Sequence, residues 1–128
     1  MKQKNKTVKA DKVITSHINA DFDAVASMLA AQKLYPGSVI IFPGSQEKNL
    51  RDFFIQSTGY LFNMADPKTI DFKSVSTLIL VDTRQKSRIP QVASLLENKN
   101  IRIEIYDHHP PMEGDIKGDV EVIRNTGA

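Results

Sequence analysis

Thr77-Leu78-Ile79-Leu80-Val81 (77–81) is an almost continuous apolar run, and it stops abruptly at Asp82. Side chains alternate between the two faces of a strand, so a run apolar at nearly every position suits a strand covered on both sides. That is the habit of a parallel sheet rather than a half-solvated antiparallel one. Upstream, Val13-Ile14-Thr15-Ser16-His17 (13–17) is a short β-rich run ending in polar residues, and Ser38-Val39-Ile40-Ile41-Phe42 (38–42) is a further one, closed by Pro43-Gly44. Downstream, Ile101 to Tyr106 alternates as a strand should, and Val120-Glu121-Val122-Ile123 begins another.

Helical patterns lie between these runs. From Asp23, Val25, Met28 and Leu29 fall at i, i+3, i+4 spacing among alanines 24, 26, 30 and 31, up to the Tyr35-Pro36-Gly37 stop. Alanines at that density let a helix lie close on a sheet. Asn49 to Ser57 carries Leu50, Phe53 and Phe54 before Thr58-Gly59, and Arg88 to Asn98 reads as a helix with Ile89, Val92, Leu95 and Leu96 inward. Residues 60–73 suggest a short strand and loop. Strands alternating with helices predict an α/β fold: a parallel, Rossmann-like sheet with helices on both faces.

The chain has 128 residues and 41% hydrophobic content, enough for one domain with a real core. No cysteine is present, which removes disulfides and thiolate metal sites and fits a reducing cytoplasm. The net charge of +2 is uneven. Five lysines (Lys2, Lys4, Lys6, Lys9, Lys12) against Asp11 make the first twelve residues basic and leave the remainder slightly acidic. Residues 1–11 therefore read as a basic, solvated tail ahead of a domain over 12–128. An arm that touches RNA phosphates is the alternative reading of that tail. The start lacks the apolar run of a signal peptide and no stretch reaches membrane-spanning length, so a soluble, cytoplasmic protein without a membrane partner is expected.

In a parallel α/β sheet, ligands bind in the crevice at the carboxyl ends of the strands. His17, Asp82 and Asp107-His108-His109 each fall where a predicted strand ends. The chain has three histidines, and all three lie at that edge. In His17-Ile18-Asn19-Ala20-Asp21-Phe22-Asp23, one imidazole and two carboxylates sit on a strand-to-helix turn. Such donors suit Mn²⁺ or Zn²⁺ better than Ca²⁺, while Asp21 or Asp23 could equally cap the helix. Asp82 leaves the most apolar strand, where a carboxylate needs a cation or backbone donors as compensation. Capping of the next helix by Asp82 or Thr83 is its bland alternative. A cluster of this kind can hold two cations about 3.5–4 Å apart, which acidify water and neutralise phosphate oxygens.

His17–Ser27 (HINADFDAVAS), Val81-Asp82-Thr83 and Asp107-His108-His109-Pro110 together resemble the DHH phosphoesterase superfamily. That group includes manganese pyrophosphatases, exopolyphosphatases and oligonucleotide phosphodiesterases. The resemblance implies a first metal held by His17, Asp21 and Asp82, and a second held by Asp23, Asp82 and His108, with Asp82 bridging. It implies that His109 meets the substrate phosphate and that Asp107 orients a ligand. Arg84, just beyond the bridge, is a further candidate for phosphate contact, with a surface salt bridge as its alternative. Two Mn²⁺ ions are the implied cofactors, with Mg²⁺ or Co²⁺ as substitutes.

Many members have proline where this chain has Ala20. That variant, with the segments 42–53, 81–85 and 106–110, resembles a narrower group in which the domain opens a longer protein with CBS domains and a tRNA nucleotidyltransferase or poly(A) polymerase-like module. Members also carry a later aspartate and a substrate-binding C-terminal domain beyond the stretch seen here, so the chain reads as the N-terminal part of a larger unit. The expected function is metal-dependent hydrolysis of a phosphoester or phosphoanhydride in a small molecule or short oligonucleotide. The rivals are a non-catalytic nucleotide- or RNA-binding module serving tRNA through a parent protein, and a domain kept for dimerisation.

Overall fold

The computed structural model describes residues 7–44, 47–57 and 63–123. Its elements run β1 (Val8–Lys9), β2 (Lys12–Thr15), α1 (Phe22–Leu34), β3 (Val39–Ile41), α2 (Lys48–Ser57), β4 (Met64–Ala65), β5 (Ile70–Asp71), β6 (Thr77–Val81), β7 (Arg102–Asp107) and β8 (Val120–Ile123). Short 3-10 turns occupy Pro67–Thr69, Phe72–Ser74, Lys86–Arg88 and Ala93–Glu97. Six strands form one parallel sheet in the order β4-β3-β2-β6-β7-β8, and β1 pairs with β5 in a small second ladder. The α/β class with a parallel sheet is thus the observed one.

The all-apolar run of β6 is explained by where it sits. It lies between β2 and β7, and all five of its residues are buried. Alternation sorts the core into two layers. Ile14, Ile40, Ile79 and Val81 face Val25, Met28 and Ala31 of α1 and Leu50 of α2. Val13, Val39, Ile41, Leu78, Leu80 and Ile105 face the other way, onto Ile89, Val92, Leu95, Ile70 and Val75. Each fully buried Ile, Leu or Val contributes roughly 1.5–3 kcal/mol. Helical elements therefore cover both faces, but they are α-helices on one and 3-10 turns on the other.

The second face corrects the expected helix over 88–98. Ile89 precedes Pro90 and is held at φ −127, ψ 49, outside the α region, and Val92 sits at φ −129, ψ 10. The chain instead closes successive i→i+3 bonds, Val92 N–H to Ile89 O at 3.1 Å and Leu95 N–H to Val92 O at 2.9 Å. Ile89, Val92 and Leu95 are spaced by three, the period at which 3-10 side chains eclipse, and all three are buried. The inward residues were thus read correctly and the helix type was not.

Three further differences concern boundaries. β2 stops at Thr15, so Ser16 and His17 lie beyond it in the loop. Part of the basic tail belongs to the fold, because Val8 and Lys9 register with Ile70 and Asp71 and the Ala10 N–H reaches Ser74 Oγ at 2.9 Å. Among the described residues of the stretch 60–73 there are two short strands, β4 and β5, where one was expected. Met1 to Lys6, Thr58-Gly59 and the Phe54 side chain lie outside the described residues. In α2, Leu50 turns inward while Phe53 is exposed.

Among the described residues, no helix is long and apolar enough to cross a membrane.

Candidate metal centre

Strand register builds the site. Thr15 is level with Leu80 and Val81 with Tyr106. Two residues past Thr15 is His17, two past Leu80 is Asp82, and one past Tyr106 is Asp107. Three neighbouring strands therefore deliver His17, Asp82 and Asp107 to one edge in a row. The row lies at the point where the chain order reverses, since β3 flanks β2 on one side and β6 on the other.

Asp82 is the hub. Its Oδ2 lies 3.3 Å from His17 Nε2 and its Oδ1 lies 3.0 Å from His108 Nε2, so each carboxylate oxygen serves one imidazole. Asp82 adopts φ 62, a left-handed conformation that costs a non-glycine residue about 1–2 kcal/mol. Its N–H still bonds Tyr106 O at 2.8 Å, so the turn leaves the sheet one residue late, with the side chain at the edge. Asn19, in the loop after His17, also has positive φ, at 57. Backbone strain of this sort collects where the surroundings over-determine a site. The alternative of helix capping by Asp82 or Thr83 resolves here: Thr83 Oγ1 accepts the Gln85 N–H at 3.3 Å, while the Asp82 carboxylate faces the histidines.

Asp21 does both things that its sequence position allowed. Its Oδ1 caps α1 by accepting the Ala24 N–H at 2.9 Å. It also forms, with His17 and Asp82, a group whose candidate ligand atoms all lie within 4.8 Å of one another. A second such group is Asp82, His108 and His109. Asp23 is exposed in the first turn of α1 and belongs to neither group. The structure thus brings together His17, Asp21 and Asp82 in one group and Asp82, His108 and His109 in the other.

The donor chemistry fits a divalent cation. Ligands about 2.0–2.2 Å from an ion lie roughly 3–4.4 Å from one another, the scale of both groups. Imidazole nitrogen mixed with carboxylate oxygen suits a divalent first-row transition metal better than Ca²⁺.

Behind the histidines, Asp107 is almost sealed from water. Its Oδ1 accepts His108 N–H at 2.9 Å, His109 N–H at 3.2 Å and His109 Nδ1 at 2.6 Å, and its Oδ2 accepts Arg84 Nε at 3.1 Å. Burial alone would raise this carboxyl. The hydrogen bonds and charge of His109, with the Arg84 guanidinium, outweigh burial and hold it below the usual carboxylate range. Arg84 itself is buried, and its Nη2 donates to His109 O at 2.7 Å. It is therefore no surface salt bridge. It ties the 107–109 turn to the end of β6. The rings of His108 and His109 stack with centroids 4.4 Å apart.

Asp82 separates two clefts. One, of about 280 Å³, is lined by Thr83, Arg84, Gln85, Arg88, His109 and Met112 among others. The other, of about 210 Å³, is lined by Ser27, Tyr106, His108 and Val122. Sequence reasoning missed Arg88, whose Nη2 lies 3.2 Å from His17 Nδ1 and whose O accepts the Ile18 N–H at 2.8 Å. The available signal was Pro90, which keeps the preceding residues out of an α-helix and leaves Arg88 at the end of the 3-10 turn after Asp82. It missed Gln91 as well, whose Nε2 bonds Thr15 Oγ1 at 3.1 Å and Ser16 O at 2.8 Å beneath His17.

The parallel α/β domain gathers imidazoles and carboxylates at its switch point in two groups that could hold a metal ion. The chain belongs to the DHH family: the model of the family's N-terminal domain matches residues 12–126. It is 43% identical over 116 residues to the A-adding tRNA nucleotidyltransferase of Geobacter sulfurreducens, covering 91% of this chain but 13% of that protein. In three dimensions it resembles an exopolyphosphatase-related protein from Bacteroides fragilis, with a TM-score of 0.63 at 16% identity, over 91% of this chain and 35% of that one. The chain therefore spans a small part of the curated relative and about a third of the solved structure.

Proposed function

We propose that this domain hydrolyses a phosphoester or phosphoanhydride with the help of divalent cations, Mn²⁺ foremost. One observation carries the reading: a single carboxylate, Asp82, stands between two imidazoles at adjacent strand ends, with Asp21 in the same cluster. His17, Asp21 and Asp82 would hold one ion, and Asp82 with His108 a second, which Asp23 could join. When bound, the ions supply positive charge against phosphate oxygens and lower the pKa of water.

The protein's own groups arrange the rest. Asp107 holds His109 by Nδ1, which leaves Nε2 on the opposite edge of the ring to meet a phosphoryl oxygen. Arg84 fixes Asp107 and adds buried positive charge to the cleft wall; Nε and Nη2 are already engaged, so any phosphate contact would use Nη1. The test is calorimetric titration of Mn²⁺ into metal-stripped chain, followed by phosphate release from pyrophosphate, polyphosphate and short RNA. A chain that binds no Mn²⁺ and releases no phosphate would end this reading.

A second reading is favoured by the 43% identity to an A-adding tRNA nucleotidyltransferase. In it, the domain is a cytoplasmic nucleotide- or RNA-binding module of such a protein and turns nothing over. Metal-dependent RNA binding without phosphate release would select it.

A further inference from the structure

The larger cleft beside Asp82 contains two guanidinium groups of opposite status. Arg84 is buried and committed to Asp107 and His109. Arg88 is exposed, yet its backbone is pinned on both sides: its O accepts the Ile18 N–H at 2.8 Å and its N–H reaches Gln85 O at 3.0 Å. The Cα is thus fixed within the site while the side chain stays free to turn.

Among the described residues, the Arg88 side chain makes one hydrogen-bond contact, Nη2 to His17 Nδ1 at 3.2 Å. The same ring nitrogen lies 2.9 Å from Ile18 O. A nitrogen that donates to a carbonyl cannot also accept from a guanidinium. The carbonyl belongs to the next residue and is always at hand, so the Arg88 contact is the one that gives way. Its donors are then available to the cleft, where His109 and Asp82 also face.

We propose that Arg88 is an anion-binding side chain of this cleft, taking two non-bridging oxygens of a substrate phosphoryl group beside Asp82 and His109. The planar fork of a guanidinium matches such a pair of oxygens in a way that a lysine ammonium does not. The inference rests on the phosphohydrolase reading and deepens it by naming the group that grips the phosphoryl moiety.

The test titrates first Mn²⁺ and then inorganic phosphate into the wild-type chain, Arg88→Gln and Arg88→Lys, with circular dichroism as the check on folding. The expected result is unchanged Mn²⁺ affinity, phosphate binding weakened at least about tenfold in Arg88→Gln, and partial recovery in Arg88→Lys. Phosphate affinity unchanged in Arg88→Gln overturns the proposal. So does loss of Mn²⁺ binding in both variants, which would make Arg88 a positioning residue for His17. A wild-type chain that binds Mn²⁺ but no phosphate overturns it too, leaving the metal centre intact. A wild-type chain that binds no Mn²⁺ ends the phosphohydrolase reading instead, and the metal-free phosphate titration then decides Arg88 by the same comparison.

Discussion

Arg84 and Asp107 form an ion pair of 3.1 Å in which the side chains are 5% and 2% exposed. Removing one partner of a buried pair strands the other charge without water, which costs about 3–5 kcal/mol. Arg84→Ala is therefore expected to lower the unfolding free energy measured in urea by that amount and to loosen the 107–109 turn. A variant as stable as wild type would show that water reaches Asp107.

Asp82 touches both imidazoles. Asp82→Ala is expected to abolish binding at both metal positions, read as loss of all Mn²⁺ heat in calorimetry. A variant that still takes up two ions would remove Asp82 from the bridging place.

His109 is held by Asp107 and stacked on His108, and it also falls within a candidate ligand group. His109→Ala is expected to spare Mn²⁺ binding and to weaken phosphate binding. Loss of an ion instead would exchange the roles of the two histidines, making His109 a ligand.

Asn19 sits at φ 57 between His17 and Asp21. Asn19→Ala is expected to cost about 1 kcal/mol, because a Cβ without a compensating polar group resists the left-handed region. Asn19→Gly should be close to neutral. Equal stability of the alanine and glycine variants in urea melts would remove the strain from this loop.

The Tyr35 hydroxyl donates to Glu104 Oε1 and accepts from the Tyr106 hydroxyl, while Arg102 Nε reaches Glu104 Oε2 at 2.8 Å. Burial, then the bond to Glu104, pushes the Tyr35 phenol above its ordinary 10.0. A raised folded-state value gives stability that is complete below the unfolded value and is lost as pH climbs beyond it. Unfolding free energy should therefore decline above pH 10.0, and Tyr35→Phe should flatten that slope. For Glu104, burial pushes upward, but the Tyr35 and Arg102 bonds outweigh it and depress the carboxyl, so its contribution fades as pH falls below 4.5.

The sheet was legible because β3 and β6 are apolar enough to declare two buried faces, because β7 alternates, and because polar residues follow the ends of β2, β6 and β7. The site followed from that edge. One short strand was expected where β4 and β5 lie, and its bounds could not be read because two-residue strands have no period and a backbone ladder leaves no trace in side chains. The burial of Arg84 could not be read, since its partner lies 23 residues away and only register brings it near. Asp23, two residues past the Asp21 cap, lies exposed in the first turn of α1, a placement its nearness in sequence to Asp21 could not reveal.

The strand order also has a consequence for how the chain is made. β2 occupies the middle of the sheet, ends at Thr15, and waits for its second neighbour until the ribosome reaches Thr77. At about 5–20 residues per second, that delay lasts roughly 3–12 seconds. Throughout it, one edge of the most central strand offers bare N–H and C=O groups to any other emerging chain. The interval between residues 16 and 76 is thus when a newborn molecule is most vulnerable to mispairing, and when a holding chaperone would help it most.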